Sequence, residues 1–267
     1  WDIQINYGIK TGYNEAFIID GKKKDELIAE DPKSAEIIRP ILRGRDIKRF
    51  GYDFADLWLI NTHNGLKEKG VVPIKINNYL AIKRHLDKFY PDLKKRADQG
   101  VTPYNLRNCA YMEDFFEQKI VWARLMRISK IEAYSFPRFA LVPKDIFIVD
   151  SLCFFVGNDL SYLQGILNSE FAAYYFFNNI SVLDNGGMQM RQQFVENIPI
   201  PQCTSDEKKQ IKNLVAEIKS LENMQKSQQI INDIIYKVFG FSSKEIDQIK
   251  EFVAKKYNEI INSENNL

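Results

Sequence analysis

An α+β fold is predicted: a mixed or antiparallel β-rich body with packed helices, followed by a C-terminal helical hairpin or arm. Three observations predict it. Four short apolar, β-branched or aromatic runs crowd into residues 119–156, as the strands of a small sheet would. Residues 78–93 and 161–180 have the apolar spacing or the aromatic, proline-free composition of packed helices. Beyond Pro199 and Pro201 the pattern changes to capped helices with a heptad-like rhythm. A chain of 267 residues, 45% of them hydrophobic, buries a full core. The reading divides it into a body over residues 1–202 and a helical spacer or arm over 203–267.

The elements follow in chain order. Residues 3–19 read as two strands around a tight loop at Gly8 and Gly12, ending in the run Ala16-Phe17-Ile18-Ile19. After a turn at Lys22, Lys23 and Lys24, Asp25 opens a short helix and Pro32 a further helical turn. Pro40 and Gly44 interrupt residues 38–50, which predicts an irregular, exposed basic loop. Leu57–Ile60 reads as a buried strand and residues 61–65 as a turn. Leu80, Ile82, Leu86, Phe89 and Leu93 recur at near-helical spacing, so one amphipathic helix is expected over 78–93. Residues 119–123, 139–142, 146–149 and 152–156 form a meander or small mixed sheet, 161–180 one or two helices, and Gly186-Gly187 breaks the pattern. Thr204 with Glu207, and Ser242 with Glu245, have the spacing of capping boxes. Ile211, Leu214, Ile218 and Leu221 carry an a/d rhythm that fades at Gln225 and Gln228, resumes through Ile231, Ile234 and Val238, and stops at Gly240. A last helix carries Ile246, Ile249, Val253 and Tyr257. So few heptads suit a helix packed on its own domain as well as they suit a dimer, and oligomerisation through these helices stays open.

Charge is spread unevenly. Residues 1–144 hold 26 basic and 19 acidic side chains, a net +7; residues 145–203 net −5, and residues 204–267 balance. The excess sits in three clusters: Arg39, Arg43, Arg45, Lys48 and Arg49; Lys94, Lys95, Arg96 and Arg107; Arg124, Arg127, Lys130 and Arg138. Such an asymmetry suits a polyanion or, as the plainer reading, a solvated basic face. Cys109, Cys153 and Cys203 form no CxxC pair and the two histidines, His63 and His85, stand far apart, which argues against a zinc site or a disulfide framework. No run approaches the roughly 18 apolar residues of a membrane span, and no basic-then-apolar leader opens the chain, so a cytoplasmic protein without a membrane partner is expected. Trp1 at the start, with strand-like alternation directly after it, reads as a fragment of a longer protein.

Catalytic strings are weak. Gly8-Ile9-Lys10-Thr11-Gly12 lacks the spacing of a phosphate-binding P-loop. Thr102-Pro103-Tyr104-Asn105 only faintly echoes the Asn-Pro-Pro-Tyr tetrapeptide of amino-methyltransferases, and no glycine-rich turn for S-adenosylmethionine accompanies it. Pro91-Asp92 followed by Glu117-Gln118-Lys119 matches the PD-ExK string with which endonucleases hold Mg²⁺ and place a lysine beside the attacking water. A nuclease built on Asp92, Glu117 and Lys119 is therefore the alternative reading.

Several stretches together resemble a family. Gly8-Ile9-Lys10-Thr11-Gly12-Tyr13-Asn14-Glu15-Ala16-Phe17-Ile18-Ile19, Ile38-Arg39-Pro40-Ile41-Leu42-Arg43-Gly44-Arg45-Asp46-Ile47 and Thr62-His63-Asn64-Gly65 resemble the C-terminal target-recognition domain of type IIG restriction-modification enzymes and N6-adenine DNA methyltransferases. Thr102-Pro103-Tyr104-Asn105-Leu106-Arg107, Lys119-Ile120-Val121-Trp122, Leu167-Asn168-Ser169 and Gly186-Gly187 leading to Asn197-Ile198-Pro199-Ile200-Pro201 fit the same family in order. The resemblance implies a module that binds double-stranded DNA and selects the site, without a cofactor or catalytic residues of its own. An upstream methyltransferase domain of the same chain would flip and methylate an adenine with S-adenosylmethionine, with Mg²⁺ needed where a nuclease domain is present. The segment after Pro201 also resembles the helical spacers of type I specificity subunits.

Sequence readout needs polar side chains on base edges and cations on phosphates. The candidates are Lys10, Thr11 and Asn14 on the first loop; Arg43, Arg45, Lys48 and Arg49 on the second; Arg107; Arg127, Ser129 and Lys130 at the break between strands; and Gln189, Arg191 and Gln192 after the paired glycines. The first two groups suit structure or phosphates, the last two base contacts. Plainer roles compete: Arg45 could pair with Asp46 or Asp53, Asn14 could cap its own turn, and Arg191 could neutralise the acidic segment around it.

Overall fold

In the computed structural model, which describes residues 3–128, 136–183 and 186–263, the N-terminal half runs β1 (Asn6–Tyr7), α1 (Asn14–Phe17), β2 (Ile18–Asp20), α2 (Gly21–Glu30), β3 (Ile38–Leu42), β4 (Ile47–Lys48), β5 (Gly51–Tyr52), β6 (Leu57–Ile60), α3 (Leu80–Asp87) and α4 (Tyr90–Leu93). The remainder runs β7 (Lys119–Ala123), β8 (Leu125–Arg127), β9 (Ala140–Val142), β10 (Phe147–Ile148), β11 (Leu152–Val156), α5 (Leu160–Leu167), α6 (Glu170–Asn179), β12 (Gly187–Gln189), α7 (Gln192–Glu196), α8 (Ser205–Glu217), α9 (Leu221–Phe239) and α10 (Ser243–Ser263). The fold is α+β, as the pattern predicts. Among the described residues, no helix is long and apolar enough to cross a membrane.

β1, β11, β7 and β9 form one antiparallel sheet. β10, β3, β6 and β2 form a second, in which β10 runs parallel to β3. The four middle runs therefore do not stay together: residues 146–149 cross to the second sheet. Crossing puts Phe147 of β10 on Phe115, ring centroids 4.8 Å apart, and Phe115 also packs 4.8 Å from Phe154 of β11. One aromatic cluster thus ties both sheets, burying large apolar rings where the sheets meet.

Residues 3–19 do not form a hairpin. β1 pairs with β11 and β2 with β6, with α1 between them. Gly8 passes so close to the second sheet that a Cβ there would stand 2.0 Å from the Val149 carbonyl oxygen. Only glycine allows its amide to reach Leu152 O (3.0 Å) and the next amide to reach Ile148 O (2.7 Å). α2 begins ahead of Asp25 because the Asp20 carboxylate accepts from Lys23 N at 2.7 Å and caps the helix.

Residues 38–50 are not an exposed loop. β3 is a core strand in which Ile38, Ile41 and Leu42 are buried. It tolerates Pro40 because pairing changes sides there: β6 matches Ile38 to Pro40, and β10 matches Ile41 and Leu42. The single helix expected over 78–93 is two. Pro91 lacks the N–H that would bond to the Asp87 carbonyl, so α3 ends and α4 restarts at Tyr90.

Both capping boxes form. Thr204 and Glu207 cap α8, and Ser242 Oγ and the Glu245 carboxylate exchange bonds with each other's backbone N–H at the start of α10. The a/d rhythm, however, breaks at Ile218: Ser220 caps a new helix through Asn223 N (3.2 Å), and Leu221 is 67% exposed. The apolar faces of these helices close on the chain itself. Ile211, Val215 and Ile231 surround Gly165 of α5. Tyr257 Oη donates to Phe136 O at 2.5 Å, and Tyr236 Oη to Glu170 of α6 at 2.8 Å.

Candidate nucleic-acid interface

β7 leaves the first sheet at Ala123, and Arg124 makes the corner. Its N–H donates to Ser151 O (3.0 Å) and its carbonyl accepts from Met190 N (2.9 Å). Beyond the corner, β8 pairs with β12 as a two-stranded antiparallel ribbon, held to β7 by Trp122 Nε1 donating to Met190 O at 3.1 Å. Where ribbon and sheet diverge lies a cleft of about 770 Å³, lined by Tyr7, Arg124, Leu125, Gln189, Arg191 and Gln193 among others. A second cleft, of about 460 Å³, lies across Tyr7 and Arg124, which line both, and is bordered by Lys10, Arg107, Asn108 and Tyr111. The Arg124 guanidinium rests 5.0 Å over the Tyr7 ring, making a ridge between the two. Together they form one groove.

Its lining sets the cations Lys10, Arg107, Arg124 and Arg191 against the carboxylates Asp150 and Glu196. Lys10 and Arg107 share Asp98, at 3.0 and 3.1 Å, and these bonds hold the Asp98 carboxyl below the usual carboxylate range. Two positive charges against one negative leave that border net positive. Gln189 Oε1 accepts a forked pair from Arg191, Nε at 3.1 Å and Nη2 at 2.6 Å. Arg45 is exposed next to Gly44, a lining residue of the larger cleft, and has no bonded partner among the described residues. Its expected partner, Asp46, is buried and belongs to Arg43, which donates from N, Nε and Nη2 at 2.7–3.1 Å.

Of the candidates from sequence, Lys10, Arg107, Gln189, Arg191 and Gln192 line the groove. Gln192 is partly occupied, donating to Ile5 O at 2.7 Å. Lys48 stands 3.8 Å from Asp53, and Arg127 is exposed on β8. Asn14 is exposed, but its Oδ1 accepts from Thr11 Oγ1 at 2.6 Å, and Thr11 itself is buried. Arg49 turns inward, donating to the Asn168 carbonyl, and burial lowers its pKa. Ser129 and Lys130 lie outside the described residues. The sequence pattern does not single out Tyr7 or Gln193, and it places Arg124 only within a basic cluster; the signal for Arg124 is a cation interrupting an apolar strand at the point where the chain must turn.

Cations that inflate the basic clusters are spent inside the fold. Arg138 is buried and donates to Arg127 O at 3.0 Å. Arg39 donates to the carbonyls of Ile38 (2.8 Å) and Glu36 (2.7 Å). Lys119 is fully buried, its Nζ donating to the carbonyls of Phe115, Ile146 and Pro143 at 2.9–3.3 Å. That geometry overturns the nuclease alternative: Lys119 has no access to water, Glu117 precedes β7 and pairs with Lys144 at 3.2 Å, and Asp92 stands in α4 beside Tyr13.

Burial pulls the Lys119 pKa down to about 8, against about 10.4 for a lysine in an unfolded chain. Between those values the unfolded state binds more protons, so this group adds stability as pH rises from 8 to 10 and contributes no pH dependence below 8. The unfolding free-energy difference between wild type and Lys119→Met, measured in urea, should therefore grow over that window; the subtraction cancels the cysteines and tyrosines. A flat difference contradicts the assignment.

An α+β body that gathers arginines, glutamines and a lysine around one groove defines a recognition domain. The model of the TaqI-like C-terminal specificity domain matches residues 39–200, and the chain belongs to that family. Over 240 residues it is 24% identical to the type II methyltransferase M.MjaIV of Methanocaldococcus jannaschii, covering 84% of this chain and 75% of that one. Its fold is similar to part of the type IIL restriction-modification enzyme MmeI, solved in complex with DNA, with a TM-score of 0.69 at 14% identity over 97% of this chain. The type IIG restriction endonuclease BpuSI gives a TM-score of 0.49 at 16% identity over 88% of this chain. The chain spans 35% and 30% of these two enzymes.

The resemblance to specificity domains is thus borne out, and the stretches that carry it prove largely structural. Thr62 Oγ1 donates to Tyr104 O at 2.7 Å, and Asn105 Nδ2 to Ile74 O at 2.9 Å. Asn168, fully buried, donates to Phe139 O (2.8 Å) and accepts from Phe139 N (3.0 Å). These bonds satisfy backbone groups where loops and helices meet the sheets.

Proposed function

We propose that this chain selects the DNA site on which a restriction-modification enzyme acts, holding a duplex in the groove that Tyr7 and Arg124 divide. Lys10, Arg45, Lys48, Arg107 and Arg124 take phosphates; Arg127, Gln189 and Gln192 take base edges. A methyltransferase domain elsewhere in the parent protein supplies catalysis and uses S-adenosylmethionine to methylate adenine, and the helices over 203–267 act as the spacer between this body and that domain. The observation that carries the reading is the groove itself: cations on both borders, amide side chains between them, and a two-stranded ribbon of the kind a major groove admits. The family membership and the relatives' names support the same reading.

Fluorescence anisotropy of the full chain with labelled duplexes, titrated with salt, tests it. Each phosphate neutralised contributes about −0.9 to the slope of log K against log salt, so four to five contacts give a slope of about −4. An affinity indifferent to salt, or no binding at low salt, defeats the proposal.

A further inference from the structure

The β8–β12 ribbon presents a mixed surface to the larger cleft. Its register sets Leu125 opposite Gln189 and Arg127 opposite Gly187, with the Met126–Met188 pair between them buried against the body. Leu125 and Gln189 thus share the outward face as a cross-strand pair, with Cβ atoms about 4.5–5.5 Å apart by the geometry of such pairs. Leu125 is 51% exposed in a cleft otherwise rich in arginine and glutamine, and Leu183, also exposed, lines the same cleft. An apolar side chain held in water beside an oriented amide matches a surface that is itself part polar, part methyl.

The major-groove edge of an A·T pair is such a surface. Adenine offers the N7 acceptor and the N6 amino donor, which a glutamine amide meets with two bonds, and thymine offers its 5-methyl group on the same edge. Resting on the proposed DNA-binding function, we infer that Gln189 and Leu125 together read one A·T base pair: the Gln189 amide bonds adenine N7 and N6, and Leu125 packs on the thymine methyl. Arg191 is a positioning residue. Its bonds to Gln189 Oε1 fix the orientation of the amide and leave Nε2 to donate; on binding, the shorter bond from Nη2 (2.6 Å) is kept and the longer one from Nε (3.1 Å) gives up its Oε1 lone pair to the adenine N6 amino group.

The test is site selection from random duplexes by the full chain, followed by affinity measurements on the selected site. Wild type should require A·T at one position. Deoxyuridine for thymine there removes only the methyl group and should weaken wild type about fourfold, while leaving Leu125→Ala unchanged. Gln189→Ala should lower the preference for A·T at that position at least tenfold and leave every other position as it was. Arg191→Lys keeps the charge but not the fork, and should lose preference at the same position alone; retained preference overturns the positioning role. A selected site unaltered in Gln189→Ala, or a deoxyuridine effect equal in wild type and Leu125→Ala, overturns the inference while leaving the DNA-binding function standing. Failure to bind any duplex removes both.

Discussion

Replacing Arg96 by alanine is expected to lower the unfolding free energy by about 3–5 kcal/mol, the largest effect of any single substitution outside the apolar core. The guanidinium is buried. Nη1 donates to the carbonyls of Thr11 and Asp98, the latter at 3.1 Å, and Nη2 to those of Pro103 (2.8 Å) and Asn105 (2.6 Å). Its Cζ lies 4.5 Å from the Phe17 ring centroid. Four carbonyl oxygens from two stretches of chain, one at Thr11 and one over residues 98–105, therefore converge on one side chain, and alanine would leave buried acceptors without donors as well as a cavity. Burial lowers the arginine to about 10, which keeps it charged at neutral pH, so the bonds remain charge-assisted. Arg96→Lys keeps the charge but cannot span four acceptors, and should recover only part of the loss. Urea unfolding measures both; a cost under about 1 kcal/mol for Arg96→Ala would show that the loops hold without it. The same residue bears on function, because the Thr11 and Asp98 segments carry Lys10 and its carboxylate partner to the border of the groove.

The second large effect is on binding. The double substitution Arg45→Ala, Arg124→Ala should weaken duplex affinity roughly 100-fold at low salt and reduce the salt slope by about 1.8, twice the value for one phosphate contact. Stability should change little. Arg45 is exposed without a bonded partner among the described residues, and Arg124 makes one side-chain bond, 3.4 Å to Asp150 O, besides its contact with Tyr7. Loss of affinity with an unchanged unfolding midpoint separates this outcome from misfolding. An unaltered salt slope would mean that neither guanidinium meets a phosphate.

How much of this is legible in the sequence depends on how local the cause is. The capping boxes at Thr204 and Ser242 are readable because donor and acceptor lie three residues apart. The buried strand Leu57–Ile60 and the apolar pair of helices α5 and α6 are readable because their composition alone forces burial. Pro40 misleads because its cost depends on which strand takes up the ladder beyond it: β6 pairs as far as Pro40, and β10, more than a hundred positions away, pairs only from Ile41 on. The ribbon escapes for the same reason: β8 and β12 lie about 60 positions apart. Cations are the hardest class. Arg49, Arg96 and Arg138 look like a basic face, yet each is turned onto backbone carbonyl oxygens, Arg49 onto that of Asn168 and Arg96 onto that of Thr11, both far away in the sequence. What remains on the groove is a smaller set, and it includes Tyr7 and Gln193, which have no motif signal at all.

Amide hydrogen exchange of the full chain with and without a selected duplex addresses the groove most directly. Slowed exchange is expected in residues 6–10, 107–111, 124–127 and 187–193, with the outer faces of α8, α9 and α10 unchanged. Protection confined to those three helices, with the groove segments exchanging as fast as in the free protein, would contradict the placement of DNA.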